Sequence, residues 1–164
     1  MNSTYLKLPT LLISVFILSL GSNLANSQDQ FDRVNPTKLN DQFDHEIEIT
    51  DQTTWILFSN EKESYELITD FLKSKYSNKT KNQNGFYVAD ISKMPRMIAN
   101  FFAIPEMQKL PFSILLDRNE QTKNWPKKEK HFTLIKLKSL KVTEVLFIKD
   151  KTELEKNWSS LIKD

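Results

Sequence analysis

His45 and His131 are the only histidines in the 164-residue chain, and imidazole is the side chain most often used for metal binding and for acid–base catalysis near neutral pH. Acidic residues surround the first of them in the sequence: Asp41, Asp44, Glu46 and Glu48. Zinc sites gather about three or four ligands, and two distant histidines do not supply such a set. We therefore expect no dedicated metal site, and an adventitious metal contact at His45 stays open.

The chain contains no cysteine, so a hydrolase-type catalytic triad would use a serine as its nucleophile. Ser113, His131 and Asp117 supply the residue types of a catalytic triad, but no strand–nucleophile–helix turn accompanies them. Without cysteine, thiol–disulfide exchange and disulfide bonds are excluded. The residues therefore predict no catalytic site, and we interpret the chain as a non-enzyme.

Glycine usage and charge bear on cofactors and partners. The chain has two glycines, Gly21 and Gly85, whereas phosphate-binding loops and dinucleotide fingerprints need several in a short stretch. Nucleotide, nicotinamide and flavin sites of the common kinds are therefore excluded, and we expect no cofactor. The formal net charge of +2 argues against a nucleic-acid partner, since such proteins carry a clear basic excess.

Two local features could form recognition surfaces. Trp125 and Pro126 could belong to an exposed binding loop, but a tryptophan that holds a long loop against the core is the favoured interpretation. A basic cluster follows, for which a solvated loop and strand face is favoured over an anion site: Lys127, Lys128, Lys130, Lys136, Lys138 and Lys141.

Residues 1–27 have the three parts of a secretory signal peptide. A basic residue precedes an apolar run over residues 8–20, and cleavage is expected after Ala25 or Ser27. A retained membrane anchor is disfavoured, because the run is shorter than the ~20 residues of a spanning helix and contains Pro9. We expect export to the periplasm, with secretion from the cell as the alternative, and no membrane span after cleavage.

Beyond the signal peptide, residues 28–38 are predicted to be irregular and residues 39–164 to form one domain. β-Branched and aromatic runs predict a hairpin over 39–49 and five further strands, over residues 54–58, 86–91, 113–116, 133–137 and 142–148. Helical spacing of apolar residues predicts helices near residues 61–76, 94–103 and 151–162. The uncharged first and third of these strands should be buried on both faces, which requires helices on both sides of the sheet.

Helix ends follow from capping residues. The pairs predicted to begin the three helices are Asn60 with Glu63, Ser92 with Pro95, and Asp150 with Glu153. Pro105 is predicted to end the second helix. The predicted apolar side of that helix consists of Met94, Met97, Ile98, Phe101 and Phe102.

The element order hairpin, β, α, β, α, β, β, β, α resembles the thioredoxin fold. The segment Ser59-Asn60-Glu61-Lys62 follows the first long strand, where enzymes of this family carry Cys-x-x-Cys. Leu110-Pro111-Phe112 precedes a later strand, where the family has a cis-proline beside its active site. The resemblance implies an α/β fold class, a thioredoxin-like three-layer sandwich with an N-terminal hairpin extension.

The same resemblance implies a cis Leu110–Pro111 bond and a groove that receives an extended peptide. The candidate groove residues are Ser59, Asn60, Lys62, Leu110 and Pro111. Segments 87–95, 102–107 and 110–118 are also similar to a group of exported proteobacterial proteins of unknown activity, some of them labelled FAD/FMN-containing dehydrogenases. A short chain without a glycine-rich phosphate turn does not support that flavin label.

The sequence therefore predicts a cysteine-less thioredoxin-like protein that binds a protein or peptide partner without redox activity. The alternative is an enzyme with a non-thiol mechanism, which would use carboxylates or a metal in the groove near Pro111. Carboxylates or histidines that converge in the groove would favour the enzyme, whereas an apolar groove would favour binding.

Overall fold

The computed structural model describes residues 31–76 and 84–161. The predicted signal peptide with both cleavage sites, the start of the predicted irregular segment, residues 77–83 and Ile162 lie outside the described residues. The first strand begins at Thr37, two residues before the predicted start of the domain.

The described residues form seven strands and four helices, and the predicted hairpin and all five further predicted strands are confirmed. The strands are β1 (Thr37–Asp41), β2 (Glu46–Ile49), β3 (Trp55–Ser59), β4 (Gly85–Asp90), β5 (Ile114–Asp117), β6 (Phe132–Lys138) and β7 (Lys141–Ile148). The helices are α1 (Lys62–Tyr76), α2 (Arg96–Ile98), α3 (Ile104–Met107) and α4 (Lys151–Leu161), with a π-helical turn (Ala99–Ala103) between α2 and α3.

The strands form one mixed sheet in the order β2-β1-β5-β4-β3-β6-β7. Its centre is parallel, because β4 lies between β3 and β5 and runs in the same direction as both. Antiparallel pairs extend the sheet on each side, with β6 and β7 beyond β3 and the hairpin beyond β5. Ser59 lies opposite Ala89, so β3 and β4 end at the same edge of the sheet.

The described helices all pack on one face of the sheet, which we call the helix-covered face. Trp55, Leu57 and Tyr87 point to this face and lie in one buried cluster with the helical side chains. Those helical side chains are Ile68, Phe71 and Leu72 of α1, Ala99, Met107, and Leu154 and Trp158 of α4. The prediction of helices on both faces is therefore wrong, although both faces of the central strands are buried as predicted.

Irregular segments cover the opposite face, which we call the loop-covered face. Ile56 and Phe58 point to it and meet Trp125, which is 8% exposed. The Trp125 ring lies edge-on to Phe58 with 5.2 Å between ring centroids. Trp125 thus holds the segment between β5 and β6 against the core, in agreement with the favoured interpretation.

The N-terminal segment adds to this cover. The Val34 N–H donates to the Leu140 carbonyl at 2.9 Å, and the Val142 N–H donates to the Asp32 carbonyl at 2.8 Å. Val34 and Leu140 are both buried. Two short stretches that are distant in sequence therefore close one side of the core without forming a helix.

The middle helical segment departs from its prediction. Pro105 does not end it: Pro105 lies at the start of α3, after the π-helical turn, where the Ile104 N–H reaches back to the Ala99 carbonyl. Proline has no N–H to donate, and the wider turn places it in the first turn of α3, where this loss is tolerated. It also rotates the segment, so that Ala99 and Met107 face the core.

Two of the three predicted helix starts are corrected. The first α1 hydrogen bond runs from the Tyr65 N–H to the Glu61 carbonyl at 3.1 Å, one residue later than an Asn60 cap would place it. No side chain caps α2, because Ser92 bonds to Asp90 instead. The Asp150 cap of α4 is confirmed, since its Oδ1 accepts the Glu153 N–H at 2.9 Å.

Gly85 begins β4 directly beneath the Trp55 ring. A Cβ atom at this position would lie 2.1 Å from Trp55 ring carbons. Trp55 is itself held by Trp158, with ring centroids 5.0 Å apart, so it has no room to move aside. The glycine therefore serves ring packing in the core. Among residues 31–76 and 84–161, no helix has the length and apolar character needed to cross a membrane.

Candidate functional site

A cavity of about 670 Å³ opens at the sheet edge where β3 and β4 end. The first turn of α1 forms one wall, and the segment between β4 and the end of α3 forms the other. Its apolar lining consists of Tyr65, Ala89, Ile91, Met94, Ile98, Phe102, Ala103 and Met107. The site is therefore concave and largely hydrophobic, as small-molecule and side-chain pockets usually are.

The cavity opens onto a group of exposed apolar side chains. Met97, Ile98, Phe101 and Phe102 are 69%, 46%, 72% and 64% exposed, and we call these four residues the apolar patch. Ile98 and Phe102 also line the cavity, so patch and cavity are continuous. Contiguous exposed apolar surface of this kind marks interaction sites on soluble proteins.

A pair of buried hydroxyl groups lies at the inner end of the cavity. Ser59 is the last residue of β3 and lines the cavity, although its own exposure is 2%. Its Oγ lies 2.8 Å from the Oη of Tyr87, which is equally buried. Burial raises the pKa of Tyr87 far above its ordinary value, and this outweighs the opposing effect of the Ser59 bond. The phenol therefore stays protonated.

Asp90, at the end of β4, is held by three hydrogen bonds. Its Oδ1 accepts the Ser92 hydroxyl at 2.6 Å and the Ser92 N–H at 3.1 Å, and its Oδ2 accepts Lys127 Nζ at 3.0 Å. Burial alone would raise the pKa of Asp90, but the Ser92 and Lys127 interactions outweigh it, and the pKa is lowered. This carboxylate is ionised and engaged within the protein.

The other three carboxylates at the cavity rim also have partners. Lys62 lies 3.6 Å from Glu66, Lys109 lies 2.5 Å from Glu106, and the Lys130 N–H donates to Glu61 at 3.0 Å. Burial raises the pKa of Tyr65, and the negative charges of Glu106 and Glu66 add to the increase. The rim carboxylates thus pair separately and do not converge on a common point.

The structure brings together three of the five predicted groove residues. Ser59, Asn60 and Lys62 line the cavity, whereas Leu110 and Pro111 do not. Lys62 begins α1 with its side chain 82% exposed. This cavity lies against the segment that ends at Met107, and the predicted groove beside Pro111 is not part of it.

The predicted cis Leu110–Pro111 bond is wrong, since no peptide bond within the described residues is cis. Strand order explains why Pro111 does not correspond to the cis-proline position of the family. Pro111 leads into β5, which β4 separates from β3. The antiparallel neighbour of β3 is β6, and the segment before β6 reaches the start of α1 through Lys130 and Glu61. The Pro111 position is therefore not next to Ser59.

Gln42 holds the chain around Pro111 in place. Its side-chain amide donates to the Phe112 carbonyl at 2.8 Å, and its carbonyl oxygen accepts the Ile114 N–H at 2.8 Å. The Gln108 side chain in turn donates to the Gln42 backbone carbonyl at 2.9 Å. This buried amide fixes the entry into β5, and no feature of the sequence analysis singled it out.

The Ser113, His131 and Asp117 triad does not form. Ser113 bonds to Asp41, and His131 Nδ1 lies 2.7 Å from the Glu129 carbonyl. Asp117 is fully buried, and its carboxylate accepts hydrogen bonds from Thr122 and from the Asn119 and Gln121 N–H groups. These three residues serve separate local structures.

Neither histidine lies at the cavity. The His45 side chain is 75% exposed and lies 3.4 Å from Asp41. Within residues 31–76 and 84–161, no three metal-ligating side chains form a cluster. The basic cluster is likewise dispersed: Lys127 pairs with Asp90 and Lys136 with Glu144, while Lys128, Lys130, Lys138 and Lys141 are exposed.

Sequence reasoning misassigned the segment that forms the outer cavity wall. Its large apolar residues were predicted to form the apolar side of one helix, whereas the structure exposes the four that form the apolar patch. Ala99, Ala103 and Met107 recur every four residues on the opposite side, and Ala99 and Met107 are buried. Small residues at that spacing were the available signal, because a short side chain permits close helix–sheet contact.

Comparison with known proteins supports the fold. No protein-family model matches the sequence, and no curated protein matches it. Solved structures do: a SCO1/SenC family lipoprotein from Bacillus anthracis str. Ames aligns with TM-score 0.54 and 11% identity over 82% of this chain and 97% of that one.

A thiol-disulfide oxidoreductase from Bacteroides fragilis NCTC 9343 aligns with TM-score 0.52 and 13% identity, over 79% and 99% of the two chains. StoA from Bacillus subtilis aligns with TM-score 0.52 and 15% identity, over 76% and 96%. The protein therefore has the thioredoxin-like fold, and it has this fold without cysteine.

Proposed function

We propose that this protein is a non-catalytic, thioredoxin-like binding or accessory protein, whose cavity and apolar patch receive an uncharged apolar segment of a partner polypeptide. The observation that carries the proposal is the continuity of a 670 Å³ hydrophobic cavity with exposed Ile98 and Phe102. A cavity takes an anchoring side chain, and the adjoining patch covers its neighbours, as in interfaces built around an apolar anchor.

The arrangement of polar groups supports binding over a non-thiol enzyme. The rim carboxylates are held by Lys62, Lys109, Lys127 and the Lys130 backbone. A general acid–base pair would need two groups directed at one reacting atom. The histidines lie elsewhere, and a chain without cysteine has no thiolate for disulfide exchange.

We also propose that the protein binds no flavin. Flavin and nucleotide sites need backbone that approaches a phosphate closely, which glycine permits. The glycine of the described residues, Gly85, is packed under the Trp55 ring. The similarity to proteins labelled FAD/FMN-containing dehydrogenases thus contributes no cofactor to the proposal. An absorbance spectrum of the purified protein between about 350 and 500 nm, where flavins absorb, tests this point.

We further propose that the protein works in the periplasm after signal-peptide cleavage, with secretion as the alternative. The signal-like sequence of residues 1–27 supports export. The SCO1/SenC relative in the structural comparison is itself a lipoprotein. Fractionation of cells that express the full chain, with immunodetection of the shortened product, tests the proposal.

The test of binding compares two capped pentapeptides, one with Leu-Phe-Leu at its centre and one with Ser-Asn-Ser. Titration into ¹⁵N-labelled protein should shift the amide signals of cavity residues with the first peptide and leave them unchanged with the second. Phe102→Asp should weaken binding about tenfold or more, because it removes a large apolar contact and adds a charge. Failure of both peptides to bind, or full binding by this variant, would contradict the proposal.

The matched control is Phe147→Asp. Phe147 is also exposed, but it lies on edge strand β7, away from the cavity. This variant carries the same change of charge and hydrophobicity and should bind the apolar peptide with unchanged affinity. An equal loss in both variants would indicate nonspecific hydrophobic association.

A further inference from the structure

The Ser59 and Tyr87 hydroxyl groups have two O–H donors, but only one hydrogen bond joins them. Each hydroxyl offers one O–H and accepts through its lone pairs. The 2.8 Å contact between them uses one of the two O–H groups. Among residues 31–76 and 84–161, neither side chain has another hydrogen-bond partner, so one buried O–H is left to donate.

The position of the cavity decides which O–H this is. Ser59 lines the cavity, whereas Tyr87 lies behind it in the core. When Tyr87 donates to Ser59, the Ser59 O–H is free to point into the cavity. The opposite orientation would bury the phenolic O–H among apolar side chains without a partner, which costs roughly 1–3 kcal/mol. An acceptor in the cavity therefore favours the arrangement in which Tyr87 donates.

The surrounding charges bear on the kind of acceptor. Four carboxylates line the cavity, those of Glu61, Glu66, Asp90 and Glu106, and each already has a partner in a lysine ammonium group or a backbone N–H. These pairs therefore offer no free cation to an anionic ligand. The apolar walls disfavour any charged group, because its desolvation would not be compensated.

We propose that Ser59 is a specificity-determining residue that donates a hydrogen bond to an uncharged carbonyl oxygen next to the apolar group that fills the cavity. A polypeptide supplies this chemistry through a backbone carbonyl beside an apolar side chain. The proposal rests on the proposed binding function and adds to it the requirement for an acceptor at the inner end of the ligand.

The test uses benzylacetone and butylbenzene, which share a phenyl-alkyl skeleton and differ in the carbonyl. The dissociation constant of each is measured by NMR titration with the wild-type protein and with Ser59→Ala. Loss of the hydroxyl should reduce the preference for the ketone about three- to tenfold, the value of one neutral hydrogen bond. Ser64→Ala removes another buried serine hydroxyl, on α1 and outside the cavity lining, and should leave the preference unchanged.

Infrared spectroscopy of bound benzylacetone gives a second measurement, which does not depend on comparing dissociation constants. Its carbonyl stretch in the wild-type complex should lie below that in dry hydrocarbon, and Ser59→Ala should raise it. The anion 4-phenylbutanoate should bind more weakly than benzylacetone.

The outcomes separate the two proposals. If no probe and no apolar peptide binds, the proposed function fails. If both hydrocarbon and ketone bind, but Ser59→Ala changes neither their ratio nor the carbonyl frequency, the proposed function stands and the role of Ser59 is refuted. Tighter binding of the anion than of the ketone would refute the requirement for an uncharged acceptor.

Discussion

The two faces of the sheet are closed by different means. On the helix-covered face, large side chains interlock: Trp158 packs edge-on to Trp55 and to Phe71, with ring centroids 5.0 and 5.1 Å apart. On the loop-covered face, Trp125 and a few polar groups hold an irregular segment. Helices distribute their stabilisation over many contacts, whereas the loop depends on a few residues. We therefore expect substitutions on the two faces to lower the free energy of unfolding by different amounts.

The largest effect should come from removing the interlocking tryptophan. Trp158→Ala should lower the free energy of unfolding by about 3–5 kcal/mol, because a rigid helix and sheet cannot collapse into the cavity left behind. Trp125→Ala should cost less, about 1–3 kcal/mol, because a loop can relax. Urea unfolding of both variants measures the difference, and an equal or reversed order would show that the loop is as rigidly packed as the helices.

A second prediction concerns the polar groups that hold the loop. Asp117 is fully buried, and its carboxylate accepts the Thr122 N–H and the Thr122 hydroxyl, each at 2.6 Å, besides two further N–H groups of the same turn. Asp117→Ala should cost about 2–3 kcal/mol, since buried donors lose their acceptor. Asp150→Ala removes a single exposed cap bond on α4 and should cost about 1 kcal/mol.

Hydrogen exchange locates the effect of the Asp117 substitution. Exchange should accelerate at residues 119–125 more than in α1 or α4, because the carboxylate holds only the turn. Uniform acceleration through the whole chain would show that this turn is part of the global core and that the contrast between the two faces is overstated.

The smallest predicted effect depends on pH. The folded-state pKa of Asp90 is lowered, so its ionised form stabilises the folded protein. This contribution is complete above the ordinary value of 3.8 and is lost as the pH falls through the lower folded-state pKa. Asp90→Asn should therefore cost about 1–2 kcal/mol at neutral pH, and the difference from wild type should shrink below pH 3.8.

Asp70→Asn is the control for the pH prediction. Asp70 pairs with Lys73 at 3.4 Å, but its side chain is 76% exposed, and exposed pairs contribute little. Its substitution should change stability by less than about 0.5 kcal/mol. Chemical denaturation of both variants from neutral to acidic pH makes the comparison. A constant difference for Asp90→Asn across this range would show that its carboxylate does not carry the effect.

Local sequence patterns predicted most of the elements because they depend on neighbours in the chain. The uncharged β-branched and aromatic run at β3 and the Asp150–Glu153 cap of α4 needed no distant information. Of the candidate groove residues that the family resemblance supplied, Ser59, Asn60 and Lys62 line the cavity. Leu110 and Pro111 do not line it, and the sequence does not state which strand lies beside which.

The sequence by itself determined the chemistry that is excluded, since no arrangement in space can supply a cysteine thiolate that the chain lacks. It also determined the positions of the strands and of α1 and α4, which follow from local periodicity. Only the tertiary structure decided that the helices share one face, that Phe101 and Phe102 are exposed, and that Ser59 and Tyr87 meet. These features depend on strand order and on the rotation of one π-helical turn, which are settled by packing between residues far apart in the chain.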